Sequence, residues 1–285
     1  MKIKDNRVLS FIIVAVVYAV ATLCGVLIYL ALPISSVWLK LLIADVAATA
    51  VTFIFSLIFN NASVYDPYWS VQPIVIAIAF AIGGKMTAAR LLPLIAVSLW
   101  GVRLTANWAY TFKNLNHQDW RYTMLKEKTG KFYPIVNFLG IHLFPTLVVY
   151  ACMLPVVYTY ALDFKANIGS VVFFILSILA IILQLVSDTQ MQKFRNGKTG
   201  GFIRNGLWKY SRHPNYLGEI LMWWGVALAF ISAVPNMWYL CVGALVNTLM
   251  FLFISIPMAD KRQAKKQGFS EYKAQTRMLL PIKKK

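Results

Sequence analysis

Apolar residues gather into eight runs, at positions 8–32, 37–59, 68–82, 90–110, 137–160, 168–188, 216–234 and 238–257, with polar residues between them. The first run holds no charge across 25 positions. At 1.5 Å rise per residue such a helix crosses a hydrocarbon core of about 30 Å. The pattern predicts an all-α fold, a polytopic transmembrane helical bundle forming one integral membrane domain over 1–285. The third run is short and joins the fourth through Gly83-Gly84-Lys85. The two form a tight hairpin, or one is re-entrant, so the count is seven or eight spans. The first run is too long, and lacks the small-residue cleavage site, for a removable signal peptide.

Charge placement orients the bundle. Basic residues number three in 1–7, five in 111–136, six in 189–215 and nine in 258–285, together 23 of the 28 Lys and Arg. With eight spans these segments fall on one side, so both termini and the 111–136 connector are expected in the cytoplasm. The membrane is a bacterial inner membrane or the endoplasmic reticulum. The net charge of +18 then reads as topology and as attraction to anionic membrane lipids. No nucleic-acid module accompanies it, and no nucleic-acid partner is expected. Cys24, Cys152 and Cys241 lie apart in apolar runs, without spacing for disulfides or zinc.

Smaller features take their meaning from this layout. Asn60-Asn61-Ala62-Ser63 matches a glycosylation acceptor but falls on the cytoplasmic side. Asp66-Pro67-Tyr68-Trp69 enters span three, either as an interfacial aromatic belt or as one wall of a pocket. The tail from Asp260 to Arg277 carries Lys, Arg, Gln and Tyr at helical spacing, which predicts an interfacial helix stopped by Pro281.

Chemistry concentrates in Gly206–Glu219, a polar and aromatic cluster between two apolar runs whose desolvation is costly enough to mark a ligand site. No GxGxxG, Walker-type GxxxxGK[ST], HExxH or GxSxG motif is present, so a nucleotide would be held by membrane-boundary side chains. Asp188 closes span six, and Arg195 follows two turns later on roughly the same face, with Gln184 and Gln192. A carboxylate, amides and a guanidinium in that order suit a ribose or amide edge and a phosphate. The basic loop Asn196–Gly201 and Arg204 follow. Tyr210, Arg212 and His213 precede Pro214, the expected first turn of span seven, where free N–H groups favour an anion and the Arg212 fork suits phosphate. Glu219 falls inside span seven, where a carboxylate is costly unless protonated or paired. A neutral carboxyl there can donate a hydrogen bond to a substrate carbonyl. Pairing with Arg103, in span four with Asn107 one turn away, is the structural alternative.

These residues resemble the DUF1295 family of membrane proteins, related to the steroid 5-alpha-reductases and more distantly to isoprenylcysteine carboxyl methyltransferases. The likeness runs through Asp66–Ser70, Leu99–Thr105, Asp119–Tyr122, Ser187-Asp188, Phe194-Arg195, Gly206–Glu219, Ser255–Pro257 and Tyr272. It implies NADPH held by a C-terminal cofactor-binding half, 184–285. Gln184, Asp188, Arg195, Arg204, Tyr210, Arg212, His213, Asn215 and Tyr216 would be its contacts. Glu219 would polarise a 3-oxo group while hydride goes to the beta carbon and a proton to the alpha carbon of a steroid-like or other lipid enone. Tyr68 and Tyr110 are candidates for an assisting tyrosine. The chain departs from the family in having Asp260 where a Glu is usual. Two other functions compete: an S-adenosylmethionine-dependent lipid methyltransferase, suggested by Arg212-His213-Pro214, and a non-enzymatic lipid-binding protein.

Overall fold

The computed structural model describes residues 3–82, 84–197 and 200–282. Gly83 of the expected hairpin, and Lys198 and Thr199 of the basic loop, lie outside the described residues. Regular structure among them is helical, and the one sheet-like pairing is an isolated bridge between Ser211 and Arg277. The α-helices are α1 (Arg7–Ala31), α2 (Val37–Phe59), α3 (Tyr68–Ala81), α4 (Ala88–Thr111), α5 (Trp120–Thr129), α6 (Tyr133–Val136), α7 (Phe144–Ala161), α8 (Ile168–Asn196), α9 (Pro214–Ile231), α10 (Val242–Met250), α11 (Ile256–Gln263) and α12 (Phe269–Gln275).

Among the described residues, six helical stretches are long and apolar enough to cross a membrane: Arg7–Ala31, Val37–Phe59, Ala88–Thr111, Trp120–Ala161, Ile168–Asn196 and Pro235–Gln263. The chain is a polytopic helical membrane protein. The two remaining apolar runs are α3, whose 14 residues rise only about 21 Å, and α9, whose 18 residues include Glu219.

The chain divides into two compact units, residues 1–84 with 100–157, and residues 85–99 with 158–285. In the first, α1 lies close along α2, because a Cβ on Gly25 would already touch the Ala44 oxygen and Ala48 Cβ at 3.3 Å. Asn60 ends α2 in the left-handed conformation (φ 51°). The Asn61 amide then turns inward, donating to the Leu115 oxygen at 2.6 Å, and is only 3% exposed. That burial closes the matched glycosylation acceptor independently of topology. Asp119 caps α5 and its N–H reaches Ser63 Oγ at 2.8 Å, while Tyr122 donates to Asp66 at 2.5 Å. These bonds fasten the connector onto the α2–α3 loop. Beyond α5 the chain passes through α6 and a π-helical turn, Asn137–Leu143, into α7 without a break. From Trp120 onward the connector and the fifth apolar run are therefore one continuous helical stretch.

In the second unit a reciprocal cap between Asn167 and Ser170 starts α8. This helix continues eight residues past the apolar run and carries Gln192 and Arg195 out on helical spacing. Along α9, Gly218 and Gly225 permit close approach: a Cβ at Gly218 would lie 2.5 Å from Gln184 Cγ, and one at Gly225 2.2 Å from Ser177 Oγ.

The tail differs from expectation. Instead of one helix running to Pro281 it forms α11 and α12, separated by Gly268 in the left-handed conformation (φ 79°). Helix α12 ends at Gln275 because the following backbone is extended: Arg212 N–H donates to the Arg277 oxygen at 2.9 Å. A helix continued through Thr276 and Arg277 would withdraw those carbonyls.

Candidate cofactor and active site

The site is built on the end of α8 and the start of α9. Gln190 on α8 accepts the Leu207 N–H at 2.9 Å, and Trp208 donates its indole N–H to the Ser187 oxygen at 3.1 Å. The turn Gly206–Lys209 is thereby pinned to α8. Its first residue is glycine for a local reason: φ is 60°, and a Cβ would fall 2.4 Å from Gln190 Oε1. Tyr210, expected among the cofactor contacts, projects from this turn and is exposed. Asp188 is half-buried and accepts from Asn215 Nδ2 at 3.4 Å. Gln184 is buried against Gly218.

Arg212 does not stand free to meet a phosphate. Its side chain is buried, with NH2 3.1 Å from Asp260 Oδ2 and NH1 donating to the Thr276 oxygen at 2.6 Å. His213 Nε2 lies 3.0 Å from the other Asp260 oxygen, and Lys273 Nζ lies 3.4 Å from Oδ2. The Tyr272 hydroxyl donates to the Trp208 oxygen. Burial, with Asp260 adding and Arg212 opposing, pushes the Tyr272 hydroxyl up to about 12. Arg212 is thus a clamp between the start of α9 and the tail. Asp260 reaches both partners at once.

Cations that remain accessible lie beside this clamp. Arg195 and Arg204 are exposed. Burial, with Arg262 and Arg195 contributing, lowers the Lys266 ammonium below its ordinary value, which places three cations within each other's field. The Arg204 guanidinium sits over the Phe202 ring at 4.6 Å, with NH2 3.3 Å from where a Gly268 Cβ would be. An anion bound among such groups relieves their mutual repulsion.

Deeper along α9, His213 stacks on Tyr216 (centroids 5.2 Å, planes 4° apart) and Tyr216 packs against Phe251. Glu219 is 5% exposed, five residues into the helix, and its Oε1 accepts the Trp223 indole N–H at 3.0 Å. Asn215 Oδ1 is buried without a protein donor. An acceptor in that state suits a carboxamide N–H or ribose hydroxyl, so polar edge and cation cluster together fit a phosphorylated nucleotide.

The two candidate tyrosines belong to the other unit and differ sharply. Tyr110 is 55% exposed on α4, whereas Tyr68 is 2% exposed and donates to Asp45 Oδ1 at 3.1 Å. Tyr68 is therefore a member of a buried polar group and not of an interfacial belt. Asp45 escaped the sequence reading. Its signal was plain, an acidic residue inside an apolar run, but the conspicuous Gly206–Glu219 segment drew the attention. Asp260, Arg262 and Lys266 were missed as site residues because only the fold of the tail brings them to α8 and α9.

Residues 52–276 match the family described as "Protein of unknown function (DUF1295)". The chain belongs to the DUF1295 family. The DUF1295 match contains every residue of the clamp and the cation cluster, and Tyr68, while Asp45 precedes it. An uncharacterized protein of Schizosaccharomyces pombe is 24% identical over 193 residues, 58% of this chain and 56% of that protein. The chain thus spans about half the length of this curated relative. No solved structure matches.

Proposed function

We propose that this DUF1295 protein is an NADPH-dependent membrane reductase that saturates a conjugated carbon–carbon double bond in a lipid or steroid-like enone. The observation that carries the reading is an accessible cation cluster formed by the end of α8 and the tail, together with a buried carboxyl on α9, the helix packed along α8. Arg195, Arg204, Arg262 and Lys266 would hold the phosphates. Asp188 and Asn215 would meet the polar edge of the nucleotide. When bound, NADPH supplies the hydride for the beta carbon.

The chain's own residues do the rest. Trp223 donates to one oxygen of Glu219, and in its protonated form the carboxyl would donate a hydrogen bond to the substrate carbonyl and stabilise the developing enolate. The buried surroundings of α9 exclude water and strengthen that bond. The clamp through Arg212, His213 and Asp260 positions the start of α9 and so the depth of Glu219. In this reading α3 and α9 also cross the bilayer, making eight spans, with both termini and the cation cluster in the cytoplasm.

The test is nucleotide binding to purified protein in lipid nanodiscs, by calorimetry. NADPH should bind, and Arg195→Ala should weaken it roughly tenfold to a hundredfold, the loss of one hydrogen bond to a charged group. Absence of NADPH affinity overturns the reading. Protection by S-adenosylmethionine instead would favour a methyltransferase, and binding of neither a non-enzymatic lipid-binding role.

A further inference from the structure

Helix α10 buries one face, made by Ala244 and Asn247 and continued by Phe251, while Leu245, Leu249 and Phe253 on its other side are exposed. Phe251 packs on Tyr216 of α9 with 4.8 Å between ring centroids, so the buried face is the one turned to α9. Trp224 on α9 donates its indole N–H to Thr248 Oγ1 at 2.9 Å. Between these two contacts the turn of α10 from Asn247 to Phe251 lies along the stretch of α9 from Tyr216 to Trp224. Glu219 and Trp223 follow Tyr216 on one side of that stretch, a turn apart. Asn247 and Glu219 therefore lie at one level of the same compact unit.

Asn247 is 3% exposed, and its Nδ2 is buried without a hydrogen-bond partner. An amide donor in that state costs stability, because its water has been removed and no protein acceptor replaces it. Its neighbour Thr248 is satisfied in the ordinary way, bonding the Ala244 oxygen at 2.8 Å. The amide protons of Asn247 are thus free for an acceptor that arrives from outside the protein. One turn on, α10 passes into the π-helical turn Phe251–Ser255, a widening that often accompanies sites. The rim of the α9–α10 seam, Tyr216, Trp224 and Thr248, is only half-buried, and Leu245 and Leu249 beside it are exposed. An apolar ligand reaches this seam from the lipid side and brings its acceptor with it.

We propose that Asn247 is the second donor of the carbonyl site: its Nδ2 hydrogen-bonds the oxygen of a lipid enone whose other hydrogen bond comes from protonated Glu219. This deepens the reductase reading and rests on it. Two donors on one oxygen stabilise the negative charge that gathers there as hydride reaches the beta carbon. No bond of Asn247 itself is made or broken. The pair also sets specificity. A ketone oxygen satisfies both donors at once, whereas a hydrocarbon end leaves both stranded in an apolar seam.

The test uses no nucleotide, so its failure is separable from failure of the reductase reading. Full-length protein in lipid nanodiscs is titrated with cholestenone, a steroid enone, and with cholestene, the same skeleton without the ketone. Binding is read from protein tryptophan fluorescence, to which Trp223 and Trp224 beside the site contribute. Asn247→Leu should weaken cholestenone about tenfold, the loss of one neutral hydrogen bond, and leave cholestene unchanged. Asn247→Ala, which cannot overpack the seam, should lose the same discrimination. Without ligand, Asn247→Leu should raise the unfolding midpoint by about 3 °C, because an unpaired buried donor has gone. Three outcomes overturn the assignment: equal weakening of both steroids, no binding of cholestenone to the wild type, or a midpoint lowered by Asn247→Leu.

Discussion

Asp260 illustrates how one side chain decides a local geometry. It accepts from Arg212 and His213 and faces Lys273, so its removal strands a buried guanidinium with backbone carbonyls alone. Asp260→Ala should destabilise the protein by about 3–5 kcal/mol, the cost of orphaning one partner of a buried pair. Asp260→Glu should recover most of it, with denaturation in detergent as the measure. Asp66 gives a prediction in pH. Burial is the main cause pushing its carboxyl up to about 6, while Arg121 and the Tyr122 hydrogen bond oppose it. In the unfolded chain it titrates near about 4. Folding therefore favours the protonated form, and its stabilising contribution is full below about pH 4 and lost as pH rises through about 6. Unfolding midpoints measured across that window should fall with rising pH, and Asp66→Asn should flatten the slope.

Helix pairing depends on where small residues stand. On α9, Gly218 and Gly225 meet α8 backbone as well as side chains, with the Ala180 oxygen at 2.7 Å and the Phe173 oxygen at 2.8 Å from an added Cβ. Backbone cannot swing aside, so Gly218→Ala and Gly225→Ala should each cost about 1–3 kcal/mol through overpacking. Gly140→Ala, which would meet only Val136 Cγ1 at 4.0 Å, should be neutral or mildly stabilising in the same thermal-unfolding assay. Gly218→Ala should also weaken NADPH binding more than Gly225→Ala, because Gly218 lies beside Gln184 and one residue from Glu219.

Across the whole molecule the basic segments and the span count are two views of one topology. With eight crossings, single cysteines introduced at Lys4 and Lys273 in a variant lacking Cys24, Cys152 and Cys241 should both react with a membrane-impermeant maleimide from the cytoplasmic side only. Labelling from opposite sides would mean that α3 or α9 does not cross.

The sequence alone determined that the chain is an all-helical membrane protein and, to within two residues, where α1–α4, α8 and α9 begin, because apolar length is a local quantity. Pro214 marks a helix start as plainly as any hydrophobic run. It also marked Gly206–Glu219 as a candidate site, since the cost of burying that many polar groups is visible without a fold. What tertiary structure decided was which polar groups remain available. Arg212 and Arg195 look equivalent as residues, yet Asp260, some fifty positions away, engages the first and leaves the second exposed. Helix α12 stops at Gln275 with the Thr276 and Arg277 carbonyls turned to Arg212, a demand no helical periodicity encodes. Asp45 reads as one misplaced charge until α3 supplies the Tyr68 hydroxyl. Hydrogen-bond partners are chosen by proximity in space, and only the packed chain sets that.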